Sequence, residues 1–338
     1  MAGHLSYFGN EICLWNRSHK TIEKISSNNN IIKVRGVINS DVKISKVTSN
    51  IKEAIKGAEL ILIATPATSH RELAAILAKE MIKSIPIILN PGRTFGAYNF
   101  YNTFIKEGGL FKPKVAETQT IIYTCRKIED DTVVIYSLKK AVKIAAISKN
   151  IIGEIYLAIP DCIRDNYICA ESFLETSLGN VGMVLHCIPF MLNIGWTECK
   201  TAEYKYYYDG ITPTIGKFIQ HIDDERVLVG KAMGISLEST CEWMIREYDT
   251  YGKTIYDAIN NNISYKEIDA PKTVNHRYIY EDVPHGLVPI ERLGNLLDID
   301  TPYIKIAIDL ANAIMETDYR KKGEYITLDN INNFLKEM

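Results

Sequence analysis

No apolar run reaches the roughly eighteen residues a membrane-spanning helix needs, so no membrane span is expected in this 338-residue chain. Its first ten residues, Met-Ala-Gly-His-Leu-Ser-Tyr-Phe-Gly-Asn, hold no basic segment followed by an apolar one, so they are not expected to be a secretion signal. No C-x-x-C pair occurs, and the seven cysteines (Cys13, Cys125, Cys162, Cys169, Cys187, Cys199, Cys241) are odd in number. That usage excludes a closed disulfide framework and suits reduced thiols in a cytoplasm. A basic excess is also missing: the formal net charge is −2, so nothing argues for a nucleic-acid partner. His221, His276 and His285 lack metal-ligand spacing with acids or cysteines, which excludes an evident metal site. Without a G-x-S-x-G, no nucleophile elbow is expected.

What remains is an ordinary globular composition, 46% hydrophobic and 24% charged, long enough for two domains. In the first part, short apolar runs alternate with helical stretches. Glu11–Trp15 is extended and ends in Asn16-Arg17-Ser18, and a helix follows over His19–Ser26. Lys43–Val47 is extended, and Asn50 caps a helix closed by Gly57. The nearly continuous apolar run Ala58 to Pro66 reads as a central parallel strand buried on both faces, followed by a helix over Ser69–Ile82 and a strand over Pro86–Asn90. This order predicts a Rossmann-like doubly wound parallel sheet with ligands beyond the carboxyl ends of its strands. Those ends are Asn16-Arg17-Ser18, Ala64-Thr65-Pro66-Ala67 and Asn90-Pro91-Gly92-Arg93.

A dinucleotide domain of this kind opens with a strand and G-x-G-x-x-G, whose glycines let the backbone approach the pyrophosphate. Both are absent from this chain, and Met1–Gly9 reads as the body and closing glycine of the first helix. Either the reading frame starts at an internal methionine or the gene is truncated, and dinucleotide binding is expected to be weak in both cases. At the ribose-contacting tip, neutral Asn16 with Arg17 and Ser18 suits a 2′-phosphate through charge-assisted hydrogen bonds, which favours NADP over NAD. Thr65 and Pro66 complete the expected cofactor edge.

Val115–Arg126 and Thr132–Leu138 read as paired strands, with Val142–Ile147 and Glu154–Ile159 extending the same sheet. From Phe173 onward the pattern is helical, with a helix over Ile215–Met233 and a last long one opened by Thr301-Pro302. The boundary is drawn as 1–172 and 173–338, an α/β domain followed by an all-helical one.

Two distant segments carry the chemistry. Asn180-Val-Gly-Met-Val-Leu-His186 puts one imidazole on an apolar helix start; Arg277-Tyr-Ile-Tyr-Glu-Asp282 brings a guanidinium and a carboxylate ahead of a Pro/Gly turn. Brought together, they make a carboxylate–imidazole pair beside an anion clamp, a proton-transfer device for a substrate bearing a carboxylate. Taken alone, His186 fits a core residue, Asp282 a turn or cap, Arg277 a surface ion pair and Asn180 a helix cap. Tyr204, Tyr206, Tyr207 and Tyr208 read as packing residues with a pocket wall as the other reading.

The chain resembles the NAD/NADP octopine/nopaline dehydrogenase family, the opine dehydrogenases. The likeness runs from Leu14-Trp15-Asn16-Arg17-Ser18 to Asp318-Tyr-Arg-Lys-Lys-Gly323. Its most specific segments are Gly179-Asn180-Val181 through His186 and Pro189, Tyr208-Asp209-Gly210-Ile211-Thr212-Pro213, and Asp282-Val283-Pro284 with Gly286-Leu287-Val288-Pro289. The resemblance implies joining an amino acid to a 2-oxo acid through an imine that NAD(P)H reduces. It also implies His186 as the acid/base histidine, Asp282 as its partner, and Arg277 and Asn180 on the substrate. Small-molecule substrates are the partners implied, and a homodimer is compatible with the chain. Two other readings stand beside it: a ketopantoate reductase-like reduction of a simpler 2-oxo acid, and a non-catalytic truncated remnant or interaction module.

Overall fold

The structure, a computed structural model, describes residues 1–323 and 330–332. Eleven strands are described: β1 (Cys13–Trp15), β2 (Ile31–Gly36), β3 (Ser40–Lys43), β4 (Lys46–Thr48), β5 (Ile61–Ile63), β6 (Ile87–Leu89), β7 (Val115–Thr118), β8 (Tyr123–Glu129), β9 (Thr132–Leu138), β10 (Val142–Ala146) and β11 (Tyr167–Cys169). They form a five-stranded sheet ordered β11-β10-β7-β6-β5, a four-stranded sheet ordered β3-β2-β9-β8, and a separate parallel pair β1-β4. In the main sheet β5, β6 and β7 are parallel, whereas β10 runs antiparallel to β7.

Four sequence expectations are corrected. The Ala58–Pro66 run is not a central strand: β5 is the end strand of its sheet, and Ile61 and Leu62 are only half-buried. Its continuous apolarity still serves two faces: Ile61 and Ile63 pack with one apolar cluster, Leu60 and Leu62 with the other. The segment Val115–Arg126 is two strands in two sheets, β7 and β8, with a turn at Gln119–Ile122. Glu154–Ala158 is not a strand but lies in the Ile152–Ala158 helix, whose Ile155 is buried and whose extended cap is Ile159. The extended run placed at Lys43–Val47 is β3 and β4 in separate sheets, broken at Ile44-Ser45.

Polar caps, glycines and prolines bound several of the helices. Ala2–Tyr7 is helical and Gly9 follows at φ +84. Asn50 accepts from Lys52 N, and Gly57 sits at φ +78. Ser239 with Glu242, and Thr254 with Asp257, form capping boxes on Thr240–Tyr248 and Ile255–Asn260. Pro213–Ala232 and Pro302–Met315 start with proline in their first turn. Among the described residues no helix is long and apolar enough to cross a membrane.

Ser172 caps the helix Phe173–Leu178 where the α/β part gives way to helices. One apolar cluster continues across that point, from Ile63, Ile87, Leu89 and Val115 to Met183, Ile188, Ile279 and Leu287. The helical part is therefore seated on the carboxyl ends of β5, β6 and β7. The β8–β9 side adds polar ties: Thr124 Oγ1 lies 3.0 Å from Tyr248 Oη, and Ala141 N donates to Glu247 Oε2 at 3.1 Å.

Burial leaves a pH signature. His4 and His70 are 4% and 3% exposed, and burial lowers each from 6.5 to about 4. Between those values the unfolded chain binds protons that the folded one refuses, so stability falls as pH drops. The loss begins near 6.5, is complete near 4, and is expected to reach on the order of 3 kcal/mol for each histidine, read from urea midpoints across that interval.

Candidate functional site

His186 stands on the helix Gly182–Leu192, which carries Pro189 inside it. Proline has no N–H, so the Leu185 carbonyl loses its helical donor. Tyr206 Oη faces that stretch, 2.7 Å from His186 O and 3.3 Å from Leu185 O. The proline–tyrosine combination fixes the helix where the imidazole leaves it.

Asp282 ends a short helix, Arg277–Tyr280 and its cap Glu281, and precedes a wide turn over Val283–Leu287. Its side chain makes no capping hydrogen bond there. Instead His186 Nδ1 lies 2.8 Å from Asp282 Oδ2, joining segments that are 96 residues apart. A carboxylate accepts only, so Nδ1 carries the hydrogen and Nε2 keeps its lone pair. Tyr207 Oη lies 3.3 Å from Nε2. The Tyr278 ring stacks on the imidazole with centroids 4.0 Å apart and planes 15° apart. Tyr206, Tyr207 and Tyr278 thus enclose His186, so two of the tyrosines read as packing residues have a second role as its wall.

A residue the sequence reading placed only at the sheet edge lies at the centre. Arg93, beyond β6, is buried, and its Nε donates to Glu281 Oε1 at 3.1 Å. Its Nη1 approaches Asp282 Oδ1 at 3.0 Å as a charge contact without hydrogen-bond alignment, and Asn180 Oδ1 at 3.4 Å. Arg93 itself adopts φ +63, a left-handed conformation that bulky residues keep only when surroundings hold them. A Cβ on Gly182 would stand 2.2 Å from Nη1, so the helix start must be bare for the guanidinium to fit. Asn180 is not a helix cap: its amide donates to Thr94 Oγ1 at 3.2 Å and its oxygen faces Arg93.

Arg277 pairs with Glu281, Nε to Oε2 at 3.2 Å, and its side chain is 43% exposed. Charges therefore alternate along Arg277, Glu281, Arg93 and Asp282, with the His186 imidazole at the end of the row. Burial alone would raise the Asp282 carboxyl, but Arg93 and then His186 hold it at about 2. Burial likewise favours the neutral acid at Glu281, and Arg93 with Arg277 outweighs it, leaving that carboxyl below its usual value. For His186 burial is the largest influence and lowers its pKa despite Asp282. The arrangement is a neutral imidazole at neutral pH, oriented by an anion that stays charged.

The expected cofactor edge lies apart from this cluster. Asn16 Oδ1 accepts from Ser18 N at 2.8 Å, the Ser18 hydroxyl accepts from Thr21 N at 3.3 Å, and Arg17 pairs with Glu72 on the surface. The Thr65 hydroxyl and the Pro66 carbonyl accept from the Ser69 hydroxyl at 2.8 and 2.7 Å. This edge is joined to the acids through Ala67, whose N–H donates to Glu281 Oε1 at 3.1 Å. What this edge offers an anionic dinucleotide is the exposed Arg17 guanidinium, which can leave Glu72 at little cost, since such surface pairs contribute about 0–1 kcal/mol.

Residues 169–315 match the family described as NAD/NADP octopine/nopaline dehydrogenase, alpha-helical domain, and residues 1–106 match NAD-dependent glycerol-3-phosphate dehydrogenase N-terminus. An opine dehydrogenase of Arthrobacter sp. (strain 1C) is 34% identical over 322 residues, 95% of this chain and 89% of its own. Protein ocs of Agrobacterium tumefaciens (strain Ach5) is 21% identical over 289 residues, 85% of this chain and 78% of its own. In three dimensions, octopine dehydrogenase solved with NADH and pyruvate superposes with a TM-score of 0.74 at 17% identity, covering 98% of this chain and 94% of that one. NADP+-bound yersinopine dehydrogenase gives 0.71 at 12% identity, over 99% and 94%.

Proposed function

Because the chain belongs to the NAD/NADP octopine/nopaline dehydrogenase family, we propose that it condenses an amino acid with a 2-oxo acid and reduces the resulting imine. It is an oxidoreductase on CH–NH donors, working with a nicotinamide dinucleotide. The observation that carries the reading is the 2.8 Å bond from His186 Nδ1 to Asp282 Oδ2 inside a buried, charge-balanced cluster. We assign residues 1–172 to the cofactor and 173–338 to the substrates. NADP is favoured over NAD on Asn16, Arg17 and Ser18, with Thr65 and Pro66 as further cofactor-binding residues. Seven unpaired thiols support a cytoplasmic setting.

When bound, the dinucleotide supplies the hydride. The chain's own residues manage protons. Nε2 of neutral His186 takes a proton from the substrate ammonium, which frees the nitrogen lone pair to attack the oxo-acid carbonyl carbon. Asp282 stabilises the imidazolium formed. In the adduct one proton passes from nitrogen to the alkoxide, giving the carbinolamine; the imidazolium then gives its proton to that hydroxyl, the C–O bond breaks, water leaves and a protonated C=N bond forms. Tyr207 Oη, at Nε2, must yield to the incoming amine or relay its proton.

Amino acid and 2-oxo acid pairs screened by NADPH oxidation test this reading. The expected result is turnover that needs both substrates and a secondary amine dicarboxylate product. Oxidation by an oxo acid alone, unchanged on adding any amine, would reassign the chain to simple 2-oxo acid reduction.

A further inference from the structure

We propose that Arg126, on β8, is an anchor for a substrate carboxylate, a role that rests on the reading above and names a binding group for it. Its guanidinium is only half-exposed, and its hydrogen bonds go to neutral groups: Nη2 to Tyr278 Oη at 3.2 Å and to Asp269 O at 3.5 Å. Among the described residues no Asp or Glu side chain pairs with it. The other arginines packed into this part of the molecule differ. Arg93, Arg226, Arg246 and Arg277 each meet at least one carboxylate. A guanidinium withdrawn from water without a counter-ion is unfavourable, and an anion reaching it would restore the balance.

Position makes that anion a substrate group. One side chain, Tyr278, has its ring on the His186 imidazole and its hydroxyl toward Arg126. A carboxylate on Arg126 therefore lies within one tyrosine's length of the proton-transfer nitrogen. Arg126 also comes from the α/β part, while His186, Tyr278 and Arg277 come from the helical part. An anion held there bridges the two. The proposed reaction brings two carboxylates, one from each substrate, and joins them in a single dicarboxylate product. Arg277 already shares its charge with Glu281, whereas Arg126 has no acid to leave.

The test uses the full chain and three probes in calorimetric titration: N-(1-carboxyethyl)alanine, pyruvate alone and alanine alone. Arg126→Met keeps the aliphatic stem and is expected to bind the dicarboxylate about 100-fold more weakly, because a charge-assisted bidentate contact is lost. Arg126→Lys keeps the cation and is expected to fall about 10-fold, which carries the test if the methionine variant unfolds. Whichever single substrate weakens in parallel is the one whose carboxylate Arg126 holds. Equal affinity of wild type and both variants overturns the anchor, and so does a wild type that binds none of the probes. Carboxylate binding lost with Arg126 but no turnover with any pair keeps the anchor and removes the condensation. Turnover with unaltered KM values in the variants does the reverse.

Discussion

His186→Asn is expected to slow amine-dependent NADPH oxidation by about 10³-fold, with NADPH affinity changed by less than about two-fold. Asparagine keeps a nitrogen donor for Asp282 Oδ2, so the buried carboxylate retains a partner and the pocket stays filled. What disappears is the titratable Nε2 that faces Tyr207. Single-turnover rates with and without the amino acid separate the two effects, and an equal loss of cofactor affinity and rate would remove the acid/base role. The wild type's pH profile adds a second check. The groups facing His186 are Asp282, Arg93, Arg277, Tyr207, Tyr278 and His276, and burial lowers its pKa against the pull of Asp282. The acid limb of kcat/KM for the free enzyme is therefore expected below the ordinary imidazole value of 6.5, with activity lost as pH falls.

Arg93→Met is expected to destabilise the fold by about 3–5 kcal/mol, since it leaves Glu281 and Asp282 buried side by side without the cation between them. The carboxyl of Asp282, now held at about 2 against 3.8, would rise toward and beyond its ordinary value; stability that the wild type loses as pH falls through this range would in the variant be lost as pH rises. Adding Glu281→Gln to the methionine variant removes the like-charge contact and is expected to recover more than half of the loss. Urea unfolding of the two single variants and the double variant, as a thermodynamic cycle, measures the coupling. A coupling near zero would mean that the three side chains do not share their charges as their distances imply.

Legibility in the sequence followed the range of the interactions. Helices with a polar cap and a proline or glycine boundary, such as Pro213–Ala232 and Pro302–Met315, lie where their local signals stand. The strand at Ile61–Ile63 was legible as a strand, but its place at the sheet end depends on which partners reach it. The break between β7 and β8 falls at Gln119-Thr-Ile-Ile122, which has neither glycine nor proline to announce it. The strand Ile31–Gly36 carries a short period-two signal, with buried Ile32 and Val34 separated by Lys33 and followed by Arg35.

In the site, His186, Asp282, Arg277 and Asn180 stood in segments with unusual chemistry, and the folded chain brings all four around one guanidinium. That guanidinium was not legible. Arg93 meets Glu281 across 188 residues, and a lone arginine after a strand looks like any exposed turn residue. Arg126 was hidden for the same reason, inside a segment whose β-pattern says nothing about the tyrosine it reaches.

The row from Arg277 through Glu281, Arg93 and Asp282 to His186 has a genetic consequence. A member replaced by a residue that cannot keep its hydrogen bond or charge strands a neighbour in a place water does not reach. Lineages that abandon this arrangement must exchange two adjoining members together, and Gly182, with no room for a methyl beside Arg93, must change with them. The five positions with that glycine should be inherited as a block, so descendants retain the set whole or carry a differently built pocket.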